Sequence, residues 1–331
     1  MEAKELIQRY HRGETLFTGL KLPGINLSAA DLIGIILNEA DLRGANFLFA
    51  YLNRANLSQA NLVGANLSGA SLNQADLSAA DLRSANLHGA LMQGGILRDS
   101  DITLATIQDA NLIGADLRGA DLSGATLTGA CLRGANMRQE KKSYYTNLQA
   151  AILSRADLQG ANMKGVDLSR ADLSNANLKE ANLRDADLRK ADLTNANLKG
   201  ALLTDANLSG ARLVGANLQN ANLMRAQIPQ AEMMGVNCQG AIMTHVCLNR
   251  SNLSGSNLSM TRMNSADLSR ANLSGVNFRE TELIEAFLAR SNLMDANFTN
   301  ANLVRADLMS ANMVGANFQG AIMPDGQVHG R

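Results

Sequence analysis

From Phe17 to Met323 an apolar residue, most often Leu, returns at almost every fifth position. Two places before it stands a small residue, usually Ala and now and then Ser, Thr, Val or Gly, as in Ala55-Asn56-Leu57, Ala120-Asp121-Leu122 and Ala176-Asn177-Leu178. A helix repeats every 3.6 residues and a strand every 2, so a period of five fits neither. One short extended segment followed by a turn does fit. With the Leu (the centre) and the small residue pointing inward, the remaining three positions face solvent; they are mostly Asn, Asp, Ser, Arg, Lys, Gln and Gly. Gly recurs two places after the centre, at Gly64, Gly119, Gly129 and Gly210, a corner where a positive φ costs glycine little. Sides of five residues with a corner after each close into a four-sided coil of about twenty residues, and successive coils stack at about 4.8 Å through backbone hydrogen bonds. A repeat covering most of the chain decides the architecture before any single residue is weighed.

With its A(D/N)Lxx repeats the chain resembles the pentapeptide-repeat family, over roughly nine-tenths of its length. That resemblance implies an all-β, right-handed quadrilateral β-helix; the period alone supports four sides and is silent on the hand. The opening Glu5-Leu6-Ile7-Gln8-Arg9-Tyr10-His11-Arg12-Gly13-Glu14, followed by Phe17, is similar to the leader of cyanobacterial members.

The repeat register breaks once. Centres fall at positions ending in 2 or 7 through Met137 and at 3 or 8 from Leu148 onward, a step of 11 residues between these two where ten would keep the frame. A one-residue bulge is the simplest account; a functional loop is the alternative, because the segment holds consecutive charges and the pair Tyr144-Tyr145. The expected organisation is an N-terminal cap at 1–14, a β-helical block at 15–137, a register break or loop at 138–147, a second block at 148–323 and a tail at 324–331. Some fifteen coils follow, and a rod of roughly 70 Å at the strand-to-strand spacing. Residues 3–12 read as a short amphipathic helix with Leu6, Ile7 and Tyr10 on one face, a cap for an otherwise open β edge. At the other end Pro324-Asp325-Gly326 breaks the pattern; the tail beyond it is expected to be too short to cover the last coil, which leaves an end-to-end homodimer open.

Composition narrows function mainly by exclusion. Thirty basic residues balance 30 acidic ones, so the basic surface that nonspecific nucleic-acid binding needs is lacking. Cys131, Cys238 and Cys247 form no CxxC and no metal spacing with His11, His88, His245 or His329. No run approaches the ~18 apolar residues of a membrane span, and the N-terminus lacks the basic and apolar regions of a signal peptide, so a cytoplasmic protein is expected. Glycine-rich phosphate loops and HExxH are missing, and a coil packed with Leu and Ala leaves no room for a small-molecule substrate. No catalysis, cofactor or metal is expected. Outward carboxylates such as Asp41, Asp116, Asp172 and Asp192 read as repeat consensus rather than acid–base pairs.

Residues twenty apart should stack in columns. Phe278, Phe298 and Phe318 fall in an internal one. Outside, Arg250, Arg270 and Arg290 share a corner with Lys190 and Arg170, and Arg98, Arg118 and Arg138 share the position after the centre. Like charges about 5 Å apart repel unless screened or paired. Either these side chains splay into water and reach carboxylates such as Asp267 or Asp307, or they form a track for an anionic partner. Apolar residues at outward positions gather at Ile33, Ile36, Leu48, Phe49 and Tyr51, and again at Phe287, Met309, Ile284 under Val304 and Met294 under Val314. The expected function is a noncatalytic scaffold that binds another protein, one with an acidic surface in the case of the arginine columns. The resemblance also allows a DNA-mimic regulator of type II topoisomerases, which requires a strongly acidic surface; zero net charge argues against it.

Overall fold

The computed structural model describes residues 1–140 and 145–330, which divide into two units, Met1–Ala171 and Asp172–Arg331. Each unit is a β-helix. Residue i bridges residue i+20 in parallel, from Leu16↔Ile36 onward in the first and from Asp172↔Asp192 in the second, so four pentapeptides make one coil. Each side is too short for an extended ladder and contributes one bridged residue per coil.

The hydrogen bonds of one side explain the repeat. Leu173 N–H donates to Asp192 O at 2.7 Å and the corner Asn175 N–H to Thr194 O at 2.9 Å. Asn197 N–H reaches back to Ala176 O at 2.9 Å, and Ala176 N–H closes the turn onto Leu173 O at 3.0 Å. Four of the five amides are thereby satisfied. The fifth, on the residue after the centre, is met by the Asn or Asp before the centre: Ser174 N–H donates to Asp172 Oδ1 and Thr194 N–H to Asp192 Oδ1, both at 2.9 Å. This side-chain-to-backbone bond is why the slot holds Asn or Asp. The chain's three prolines, Pro23, Pro229 and Pro324, all occupy the position that needs this acceptor, and Lys21, Gln227 and Ile322 stand where Asn or Asp would otherwise be. Proline has no N–H to satisfy, and it suits the first central position of such a turn. In some sides whose slot holds another residue, an asparagine one coil earlier serves instead: Asn73 N–H donates to Asn53 Oδ1 and Ile284 N–H to Asn264 Oδ1.

The corners of the regular coils take positive φ. Gly129 and Gly210 sit at 69° and 64°, and non-glycine residues take the same conformation, Arg250, Arg270 and Arg290 at 58–59°. A corner side chain leans over the next coil, as Phe49 does over Gly69 and Leu104 over Gly124.

Inside, centres such as Leu188 and Leu253 and small residues such as Ala176 and Ala196 are fully buried. Phe278, Phe298 and Phe318 stack with ring centroids 4.8 and 4.9 Å apart, as the column predicts. Cys238 lies in the same core, its thiol pushed up to about 12 by burial.

The helix α1 (Ala3–His11) buries Leu6 against the first coil, and Gly13 ends it with φ of 93°. Tyr10 Oη donates to Ile33 O at 2.8 Å, and the Arg9 guanidinium pairs with Glu14 and lies 5.5 Å over the Phe17 ring.

Two expectations change. Bridges run Asp121↔Asn147, Thr126↔Ile152, Cys131↔Asp157 and Asn136↔Asn162, an offset of 26 in place of 20. The register break is therefore a six-residue insertion between Gln139 and Thr146 and not a one-residue bulge. Thr146 takes the small inward slot, fully buried, its hydroxyl donating to Leu117 O. The tail also covers more than expected: the chain turns at Pro324–Gly326 and returns, with Ile322↔Val328 antiparallel and His329 edge-on to Phe318. It covers that side alone; Met313 stays 41% exposed.

Candidate protein-interaction surface

Most arginines of the coils stand either just after the centre or at the corner, and the neighbours that each place supplies decide whether they find a carboxylate. An arginine just after the centre lies beside the Asp just before it. Arg43 pairs this way with Asp41, Arg83 with Asp81, Arg118 with Asp116 and Arg189 with Asp187, at 2.5–2.6 Å. The Arg83 hydrogen bond holds the Asp81 carboxyl below the usual range. At Asp116, burial works the other way but Arg118 outweighs it, and the net shift is again downward.

In the candidate column Arg98–Arg118–Arg138 of the first unit only Arg118 follows this pattern, since Ile96 and Asn136 stand before the other two centres. Glu140, the first inserted residue, bonds both Arg98 (3.1 Å) and Arg118, while Arg118 also holds Asp116. Two of the three guanidiniums are thus neutralised where the insertion departs, and Arg138 is exposed. Burial raises the neighbouring Asp99 carboxyl despite Arg98. Tyr145 is exposed; Tyr144 lies outside the described residues.

A corner arginine has other neighbours: the corner residues one coil away and the residue just before it. In the second unit one corner column runs Asp185, Asp205, Arg225, His245, Ser265, Glu285, Arg305. It pairs vertically, with Arg225 bidentate on Asp205 at 2.6 and 2.7 Å and Arg305 on Glu285 at 2.6 Å. The next corner column runs Lys190, Gly210, Gln230, Arg250, Arg270, Arg290, Ser310. It offers no carboxylate, and Asn249, Ser269 and Ala289 precede the arginines. Among the described residues none of these three arginines enters an ion pair. The carboxylates expected as partners are engaged elsewhere: Asp267 accepts from Ser269 N–H and Asn249, Asp307 from Met309 N–H. Arg250 and Arg270, with Gln230, Asn249 and Ser269, line an open depression of about 340 Å³. Gln230, Asn249 and Ser269 were not singled out by sequence; their signal is the 20-residue spacing from the arginines and from one another.

Phe49 and Tyr51 share one edge of the first unit, 63% and 53% exposed, and Phe49 holds φ of 54°. No group of His, Cys, Asp and Glu among the described residues makes a metal site. No helix there is long and apolar enough to cross a membrane.

The sequence profile described as Pentapeptide repeats (8 copies) matches residues 21–139 and 145–324 in successive, partly overlapping segments. An uncharacterized protein, slr1819 of Synechocystis sp. strain PCC 6803, is 85% identical over 170 residues, 51% of either chain, so the chain spans about half the length of this curated relative. Among solved structures, HetL of Nostoc sp. strain PCC 7120, a pentapeptide-repeat protein involved in heterocyst differentiation regulation, is 26% identical and is covered whole, against 99% of this chain, at a TM-score of 0.22. QnrB1, a plasmid-mediated fluoroquinolone resistance protein, is 20% identical over 63% of this chain and 83% of its own, at a TM-score of 0.29. At such scores these likenesses add nothing to the fold, which rests on the i to i+20 bridges.

Proposed function

Because this chain belongs to the pentapeptide-repeat family, we propose that it is a noncatalytic scaffold whose coil surfaces bind another protein, one with an acidic surface. The coils are read as right-handed, about fifteen in all, and the protein as cytoplasmic. The observation that carries this reading is the column Arg250–Arg270–Arg290, which keeps its charge free although the whole chain is neutral. Cationic groups held in register without internal partners favour association with an anionic surface. The core supports the absence of catalysis in this reading: Leu and Ala fill it, and Asn and Asp side chains before the centres are engaged in turn and ladder bonds. Mimicry of DNA stays the weaker reading, since a surface bearing unpaired arginines is the wrong charge for it.

Affinity purification of the native protein under crosslinking tests the proposal. Stoichiometric recovery of one or a few proteins is the expected result. Recovery of none, or turnover of a small molecule by the purified chain, would overturn the scaffold reading.

A further inference from the structure

The arginine column has a measurable pitch. Phe278, Phe298 and Phe318 stand one coil apart in the same unit with centroids 4.8 and 4.9 Å apart, so its surface columns repeat at that spacing. Arg250, Arg270 and Arg290 therefore span roughly 10 Å at the backbone. A partner that engages all three must place its negative groups on that span. Seven residues of α-helix rise about 10.5 Å, and positions i, i+3 or i+4, and i+7 share one face. An extended chain displays alternate residues, so three of its carboxylates cover about 13.6 Å, too long for the column.

The surroundings add a second requirement. Phe287 and Met309 are 52% and 72% exposed on the side that leads into this corner, with the short Ala289 between Phe287 and Arg290. Arg290 N–H donates to Met309 O at 2.9 Å, which sets Met309 on the adjacent coil. A nucleic-acid backbone presents phosphates and sugars to such a flank and buries none of it, whereas a helix with an apolar stripe does. Asp267 and Asp307, held by their own hydrogen bonds on that side, repel acidic groups placed away from the corner and so confine the acidic stripe to the arginines.

We infer that this corner docks an acidic amphipathic helix of a protein partner: carboxylates at i, i+3 or i+4 and i+7 meet Arg250, Arg270 and Arg290, and the neighbouring apolar stripe covers Phe287 and Met309. The inference rests on the scaffold reading and narrows it to one partner chemistry.

The test uses the full chain and a capped, helix-favouring peptide of about sixteen residues with Glu at those positions and Leu on the adjoining stripe. Fluorescence anisotropy is measured at low and physiological salt. The peptide is expected to bind, and Arg250→Gln with Arg270→Gln and Arg290→Gln is expected to weaken it at least about tenfold without changing the melting curve. A peptide of the same composition with its glutamates in one run should bind as weakly. Should the triple Gln chain not fold, the charge swap decides: Arg→Glu at all three positions should lose the acidic peptide and take up one with Lys in place of Glu. Equal binding of the scrambled peptide, tighter binding of a DNA duplex, or indifference to the substitutions would overturn the inference. Partner proteins recovered equally by wild type and triple variant would sink this docking site and leave the scaffold standing. Peptide binding without any recovered partner would do the reverse.

Discussion

Two corner columns of the second unit share a backbone and differ in what their side chains can do for each other. In one, Asp205 sits under Arg225 and Glu285 under Arg305, and each pair closes between coils. In the other, Arg250, Arg270 and Arg290 have only one another, Gln230 and Ser310 as vertical neighbours. Their φ angles all lie within a few degrees of 58°. The fold therefore tolerates either arrangement, and whether a column sets a carboxylate next to its arginines decides whether it is inert or available. Exposed pairs of this kind contribute little to stability. Their main consequence is to remove charge from the surface that a partner meets.

The largest effect separates columns from core. Leu188→Asp places a carboxylate at a fully buried centre, and is expected to cost more than about 3 kcal/mol and to unfold the unit. Cys238 reports the event: a buried thiol with its pKa near 12 stays silent to a thiol reagent in the native chain and should react once the core opens. Substitutions within either corner column should leave it silent. A protected Cys238 and an unchanged melting curve in the Leu188→Asp chain would refute the inward assignment. A reactive Cys238 in the triple Gln chain would make the arginine column structural after all.

A smaller effect tests whether the missing carboxylate alone distinguishes the columns. Arg270→Glu places a carboxylate between Arg250 and Arg290, reproducing the vertical alternation of Asp205 and Arg225. Stability should rise by no more than about 1 kcal/mol, because the new pairs are exposed. Binding of the acidic helical peptide should fall more than for Arg270→Gln, since the new charge is repulsive as well as self-satisfied. Equal losses for the two substitutions would mean that the column acts through hydrogen bonding and not through charge.

Much of this was legible in the chain, and the illegible parts have definite reasons. Period, inward positions, glycine corners and the phenylalanine stack all follow from spacing. The size of the insertion does not follow from the frame, because a shift of one and a shift of six leave the same register modulo five. A signal was nonetheless present: Lys142 and Ser143 stand where a further side would need its apolar centre, whereas Thr146-Asn147-Leu148 reads as a normal side. Asn and Asp before the centre were visible as consensus. Their purpose appears only when the amides of a side are followed and one is left over, and the three prolines then fall into place. The pairing of Arg98 and Arg118 with Glu140 was hidden because Glu140 belongs to the insertion, outside the repeat that columns are read from. The corner arginines were correctly grouped, but their supposed partners Asp267 and Asp307 belong to the slot that serves the backbone.

The smallest effect is a titration, and it compares the two columns group by group. The hydrogen bond from Arg225 lowers the Asp205 pKa, against a smaller opposing effect of burial. A carboxyl depressed in the folded state lends stability above its unfolded value of about 3.9, and that stability is lost as pH falls through the folded value. Wild type and Asp205→Asn should therefore differ slightly in melting temperature near neutrality and converge in acid. Carboxyl NMR offers the more sensitive readout: Asp205 should titrate below the ordinary range, and Arg225→Gln should return it there. In the Arg270→Glu chain the introduced carboxylate should also titrate below the ordinary glutamate value of about 4.3, between two guanidiniums one coil away on either side. An ordinary value there would show that the side chains of the arginine column splay too far apart to pair even when offered a partner, and the distinction between the columns would then lie in side-chain direction as well as in the supply of carboxylates.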